Sequence, residues 1–347
     1  LVFKGFKPNG EDHFIPKPMN YLNRNKKRLS RIVIYSAFSL STAYCTLNDE
    51  DLYEGFVGDV QERLFEADSS SFNFIVISDW GFNGSNNQLL VAAEMEQVSE
   101  IAGIQCILTS GDNFQLMGVK STEDYLWSTN YENVYNDSSL SVPWYPALGN
   151  HDYMGNPEAQ VQYSNINTQW NMPSCYYTFV KSIDANASIR FIVLDTPGLI
   201  NAYEDLEDPS NFENITQYKW LKELLPQVKE KWVIVTGHHP VFSASTYHGD
   251  TKEMNIMIKP LLNEFKVDYY ICGHDHHFEH AKEDNMYTDY IVTGTGGEVR
   301  PVGINFRTVF SMTSLGFTYM SLSDNLSKLF FITADGKVAY QYEKMKI

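Results

Sequence analysis

Five short polar clusters interrupt an otherwise apolar pattern: Ser78-Asp79-Trp80-Gly81, Gly111-Asp112-Asn113-Phe114, Gly149-Asn150-His151-Asp152, Gly237-His238-His239 and Gly273-His274-Asp275-His276. Taken singly, each has an ordinary explanation. An Asp beside Gly commonly makes a turn or caps a helix, and a His at the end of an apolar run is more often hydrogen-bonded than metal-bound. Together they offer Asp, Asp, Asn and three His from five separate places, and eight of the nine histidines lie after residue 150. Carboxylate oxygens and neutral imidazoles suit a pair of hard-to-borderline cations such as Fe, Mn or Zn. Two such ions about 3.5–4 Å apart can hold a phosphoryl oxygen and lower the pKa of a shared water. In His274-Asp275-His276 the i, i+2 spacing lets one imidazole face each ion, and the Asp between them is expected to orient an imidazole.

The elements that must position these side chains are short β-branched runs, each ending in one cluster. Phe74–Ser78 leads to Asp79, Cys106–Leu108 to Asp112, Tyr145–Leu148 to Asn150, Trp232–Val235 to His238, and Val267–Cys272 to His274. Helix-like stretches at Gln88–Ala102, Gln217–Lys231 and Lys252–Phe265 lie between them. Alternation of this kind predicts an α/β fold, with ligands gathered at the carboxyl ends of the strands. Later runs at Tyr290–Thr293, Phe317–Leu322, Lys328–Thr333 and Lys337–Tyr342 carry polar turns and little helix, and are expected to be antiparallel strands completing a second sheet. The whole is then a four-layer αββα sandwich, two mixed sheets with flanking helices.

The chain has 347 residues, 43% hydrophobic and 14% aromatic, enough to bury a full core. No linker or repeat divides 70–347, which is read as one domain. Charge is uneven. Residues 1–43 hold eight Lys/Arg against two acids, a net +6, which leaves −23 for the rest of a chain whose net charge is −17. So acidic a body repels phosphate backbones and argues against nucleic acid as a partner; handling phosphate there requires cations to reverse the local field. Four cysteines are too few for a disulfide scaffold and show no zinc spacing, and Cys106 and Cys272 read as buried thiols. Residues 1–47 combine a basic stretch with the uncharged run 32–47, which is shorter than a membrane span and resembles a secretory signal or signal anchor. That predicts the secretory pathway, lumenal, vacuolar or extracellular, with a membrane tether as the variant. Five N-x-[ST] triplets, at Asn83, Asn136, Asn186, Asn214 and Asn325, are compatible with a glycoprotein.

The motifs SDWG (78–81), GDNF (111–114), GNHDYMGN (149–156), GHHPVFSAS (237–245) and CGHDHHFEH (272–280) resemble, in order and spacing, those of the calcineurin-like metallophosphoesterases, and within them the small, tartrate-resistant purple acid phosphatases. The resemblance covers about residues 72–340. It implies that Asp79 and His276 serve a first metal, Asn150, His238 and His274 a second, and that Asp112 bridges the two. It further implies that His151 contacts substrate phosphate and assists the leaving group, that His248 is a second histidine near the phosphate, and that Gly294–Gly297 is a glycine-rich loop beside the site. The implied activity is hydrolysis of small phosphate monoesters by a metal-bound hydroxide.

One position departs from that pattern. The purple members carry a Tyr three residues after the bridging Asp, where this chain has Gln115. A neutral amide disfavours a ferric ion, so the expected centre is Fe with Fe, Zn or Mn in a colourless or weaker first site. His239 and His277 also differ from close relatives and are candidates either for the pocket lining or for polar surface. The alternative reading is a catalytically degenerate, membrane-tethered scaffold of the glideosome-associated type, a class the same family contains.

Overall fold

In the computed structural model, residues 58–59 and 71–346 are described; the candidate signal within 1–47 lies outside them. The strands are, in chain order, β1 (Gly58–Asp59), β2 (Phe72–Ile77), β3 (Cys106–Thr109), β4 (Trp144–Pro146), β5 (Tyr177–Ser182), β6 (Ser188–Val193) and β7 (Trp232–Thr236). They continue as β8 (Tyr269–Cys272), β9 (Phe278–Ala281), β10 (Asp289–Thr293), β11 (Thr308–Met312), β12 (Gly316–Leu322), β13 (Leu326–Thr333) and β14 (Lys337–Met345).

These strands form two sheets, ordered β1-β14-β13-β12-β2-β3-β4 and β11-β9-β10-β8-β7-β6-β5. Both are mixed. In the first, β2, β3 and β4 run parallel while β12 joins β2 antiparallel. In the second, β6, β7, β8 and β10 are parallel, with antiparallel β5 on one side and β9 on the other. The parallel strands are apolar on both faces because both faces are covered. Along β2, Phe74 and Val76 face a core shared with Phe191, Ile234, Tyr269 and Ile271 of the second sheet. The alternate residues Ile75 and Ile77 face the helix Asn86–Ala102 through Val91, Met95 and Val98. The outer face of the second sheet packs on helices Thr196–Glu204, Thr216–Leu224 and Lys252–Glu264. This two-residue alternation across two sheets makes the four layers of the αββα sandwich.

Two features differ from the sequence reading. Strands β12, β13 and β14 are antiparallel as expected but extend the first sheet, beside β2, whereas β10 alone of the late runs enters the second. The second sheet is instead completed by the hairpin β5–β6, whose turn is built on Asp184: its carboxylate accepts the Asn186 and Ala187 amides at 2.6 and 2.9 Å. Cys106 and Cys272 are buried and free, as their strand positions suggested. Among the described residues no helix is long and apolar enough to cross a membrane.

Candidate metal centre

All five polar clusters sit where parallel strands end, and the backbone there is unusual. Asp79, Asp112 and His274 have φ of 54°, 49° and 68°, the left-handed region that non-glycine residues rarely enter. Each such residue costs about 1–3 kcal/mol and persists only where the surroundings over-determine it. Here the cross-links are short: the Asp79 amide donates to the Gly111 carbonyl at 3.1 Å, and the His274 amide to Asp79 Oδ2 at 3.0 Å. Close approach does the rest. A Cβ at Gly149 would collide with the Asp112 carboxylate, and one at Gly273 with that of Asp79. Gly294, in the glycine-rich stretch 294–297, is similarly pressed against Asp79 Oδ2.

The side chains converge. Asn150 Oδ1, His238 Nε2 and His274 Nδ1 form a triangle with edges of 2.9, 3.0 and 3.2 Å. His276 Nε2 lies 3.3 Å from Asp79 Oδ1, and Asp112 Oδ2 lies 3.3 Å from His238 Nε2. Donor atoms of Asp79, Asp112 and His238 all fall within 4.8 Å of one another. Ligands held about 2.1 Å from one cation are about 3.0–3.4 Å apart at octahedral to tetrahedral angles, so these spacings fit donors aimed at shared centres. His238 Nδ1–H donates to the Ser110 carbonyl at 2.9 Å, which turns Nε2 toward the cluster.

Electrostatics make the same point. Asp79 and Asp112 are 0% and 1% exposed, and among the described residues no Lys or Arg nitrogen pairs with either; their ionic neighbours are His238, His276 and His151. Burial alone would raise the Asp79 carboxyl, but the imidazoles of His238 and His276 pull it below the usual carboxylate range. Burial alone would lower His238, yet the charges of Asp112 and Asp79 lift it to about 9. His274 moves the other way, held well below its ordinary value by burial and by His238, His239 and His248, which leaves its ring a neutral lone-pair donor. Asp79 Oδ1 makes no closer polar contact than His276 Nε2, and His276 Nδ1 lies 3.4 Å from Glu298 Oε2. Buried carboxylates gathered with imidazole nitrogens in this way form a group that could hold a metal ion.

Around this core, the His151 amide donates to Asp112 Oδ1 at 2.8 Å and its ring Nε2 lies 4.0 Å from Asp112 Oδ2, with the side chain 30% exposed. The His248 ring lies 4.1 Å from that of His274, tilted by 34°. Sequence reasoning missed Asp152, fully buried, whose carboxylate accepts the amides of Gly149, Asn113 and Phe114 at 2.8–3.2 Å and so ties the ends of β3 and β4 together. Burial, then the charge of Asp112, raises it to about 7. Only its place beside His151 hinted at it. His239 adds a third ring, 4.5 Å from His274 and tilted by 44°, with Nδ1 3.0 Å from Thr196 Oγ1. His277 is neither pocket lining nor surface: it is fully buried, Nε2 3.1 Å from Glu279. Gln115 is buried, and its Oε1 has no partner. Asp275 does not bond an imidazole; its carboxylate takes the Ser243 hydroxyl at 2.6 Å.

Comparison with known proteins agrees with this geometry. The family model described as calcineurin-like phosphoesterase matches residues 72–278. Human tartrate-resistant acid phosphatase type 5 is 33% identical over 302 residues, spanning 80% of this chain and 92% of the relative. Purple acid phosphatase 17 of Arabidopsis thaliana is 32% identical over 307 residues, 83% and 89% of the two chains. Among solved structures, GAP50, titled the anchor in the inner membrane complex of Plasmodium, superposes with a TM-score of 0.71 at 26% identity, covering 80% of this chain and 89% of that one. Purple acid phosphatase PPD1 from yellow lupin seeds shares the fold at a TM-score of 0.60 and 17% identity, over 80% of this chain and 54% of its own.

Proposed function

The chain belongs to the calcineurin-like phosphoesterase family, with acid phosphatases among its relatives, and we propose that it hydrolyses phosphate monoesters at a dinuclear metal centre. In this reading Asp79 and His276 hold one ion, Asn150, His238 and His274 the other, and Asp112 lies between them. The observation that carries it is the pair of fully buried carboxylates whose neighbours are imidazoles and an amide rather than ammonium or guanidinium groups. Buried carboxylates with imidazole partners accept a cation in place of the ring protons.

Bound there, the cations would supply Lewis-acid polarisation of the phosphoryl oxygens and a nucleophilic water of lowered pKa. The chain's own residues do the rest. His151, partly exposed and fixed through its amide to Asp112, stands at the rim, where its ring can hand a proton to the departing alkoxide. His248, 4.1 Å ring to ring from His274, would donate a hydrogen bond to a phosphate oxygen. Gln115 offers no anionic oxygen, so the metals are expected to be divalent: Fe with Fe, Zn or Mn, without a ferric chromophore. Small phosphorylated molecules are the substrates. The setting is the lumen of the secretory pathway, a reading that rests on residues 32–47 alone.

The second reading, a scaffold without turnover, is favoured by the likeness to the Plasmodium anchor. One experiment separates them: elemental analysis of the purified chain together with turnover of a chromogenic phosphomonoester from pH 4 to 8. Bound metal with turnover supports the hydrolase. A metal-free chain, inactive under every metal supplement, supports the scaffold.

A further inference from the structure

The loop between β7 and the helix Lys252–Glu264 carries His248, and it is tied down by carboxylates from the turn that presents two of the candidate imidazole ligands and from the strand β9 that follows it. Asp275, between His274 and His276, is 1% exposed. Its Oδ2 accepts the Ser243 hydroxyl at 2.6 Å and the Gly249 amide at 3.2 Å, one bond to each side of His248. Four residues on, Glu279, also fully buried, accepts the Ala244 amide at 2.7 Å, His277 Nε2–H at 3.1 Å and the Thr308 hydroxyl at 3.2 Å. Asp250 closes the loop on itself by accepting the Ser243 amide at 2.9 Å, and is held by Arg307 at 2.6 Å.

Burying a carboxylate is costly, and Asp275 keeps one oxygen, Oδ1, buried without a partner, so it is a poor choice for packing alone. What it achieves is registration. The turn that aims His274 at the centre also fixes the backbone on both sides of His248, so the two rings keep their 4.1 Å contact.

We infer that Asp275 is a positioning residue that acts through Ser243 and Gly249 to hold His248 against the substrate phosphate. This rests on the phosphatase reading. Ser243 is the handle for testing it, because Asp275 itself lies between two candidate metal ligands. In the full chain loaded with metal, Ser243→Ala should leave metal per chain unchanged and lower kcat/KM about tenfold or more, the scale of one lost hydrogen bond to a charged group. Ser243→Thr, which keeps the hydroxyl, should restore most of the loss. In a His248→Ala background the same Ser243→Ala change should cost less than about twofold, because the group it positions is gone. Equal losses in both backgrounds, or no loss in either, would overturn the inference. Hydrogen exchange at the Gly249 amide gives an arm independent of turnover: protection should fall in Ser243→Ala, and equal protection overturns the clamp. Should the wild-type chain bind metal but turn over nothing, the phosphatase reading fails while the exchange arm still decides the clamp.

Discussion

The sandwich buries carboxylates at both ends of its strands, and the two ends treat them differently. Where β8 and β10 begin, Asp268 and Asp289 are fully buried and met by the chain's own cations. Lys346 bonds both Asp268 oxygens at 2.5 Å, with Tyr287 adding its hydroxyl at 2.8 Å. Lys344 and Lys282 reach Asp289 at 2.9 and 2.8 Å, and His280 lies 2.9 Å away. Where β7 and β8 finish, His238, His274 and His276 face Asp79 and Asp112, with no ammonium among them from the described residues. A buried acid paired with lysine is complete and serves the fold. One paired with imidazoles, whose ring protons a metal ion can replace, is suited to a bound cation.

Mutations at the two ends should therefore separate metal from stability. Asp112→Ala should have the largest effect, removing bound metal and bringing phosphomonoester turnover to background, because in the proposed centre both ions would lose an anionic ligand. Elemental analysis and kinetics on the same sample check it. His151→Ala should keep its metal and lower kcat by about 10²–10⁴-fold, the range for a lost general acid. Full activity across pH in that variant would remove His151 from the reaction. At the other end, Asp289→Ala should leave metal content and kcat intact but destabilise the fold by about 3–5 kcal/mol, since it strands buried Lys344, as read by denaturant unfolding. A loss of metal there would erase the contrast between the two ends.

The smallest expected effect is on pH dependence. Burial would raise the Asp289 carboxyl, but bonds from His280 and the charge of Lys344 hold it below the usual range. A folded value below the unfolded one means that its stabilisation is complete above about pH 4 and is lost as pH falls toward the folded value. The stability gap between wild type and Asp289→Asn should narrow as pH drops below about 4.

Much of the site was legible because its signals are local. Gly-Asp, Gly-Asn-His and Gly-His-Asp-His each end an apolar run, and strand ends in an α/β fold converge, so residues from 79 to 276 could be gathered before any contact was known. The structure brings together all six candidate ligands and both flanking histidines. What stayed hidden depended on pairing over distance. That β12 lies beside β2 rather than in the second sheet is decided by registers such as Thr318 opposite Val76, which hydrophobic patterning does not encode. The Asp268–Lys346 pair spans 78 residues, with nothing in either neighbourhood to announce the other. Asp275 was expected to orient an imidazole, since its neighbours in sequence are imidazoles; its partner is instead Ser243, 32 residues earlier.

The central claim is that Asp79, Asp112 and the imidazoles around them are built for two cations. Counting metal on wild-type protein purified without chelator tests it most directly, with Asp112→Ala alongside. The account predicts two divalent ions per wild-type chain and loss of both in the variant. A wild-type chain that stays metal-free when saturated with Fe, Zn and Mn in turn would contradict it.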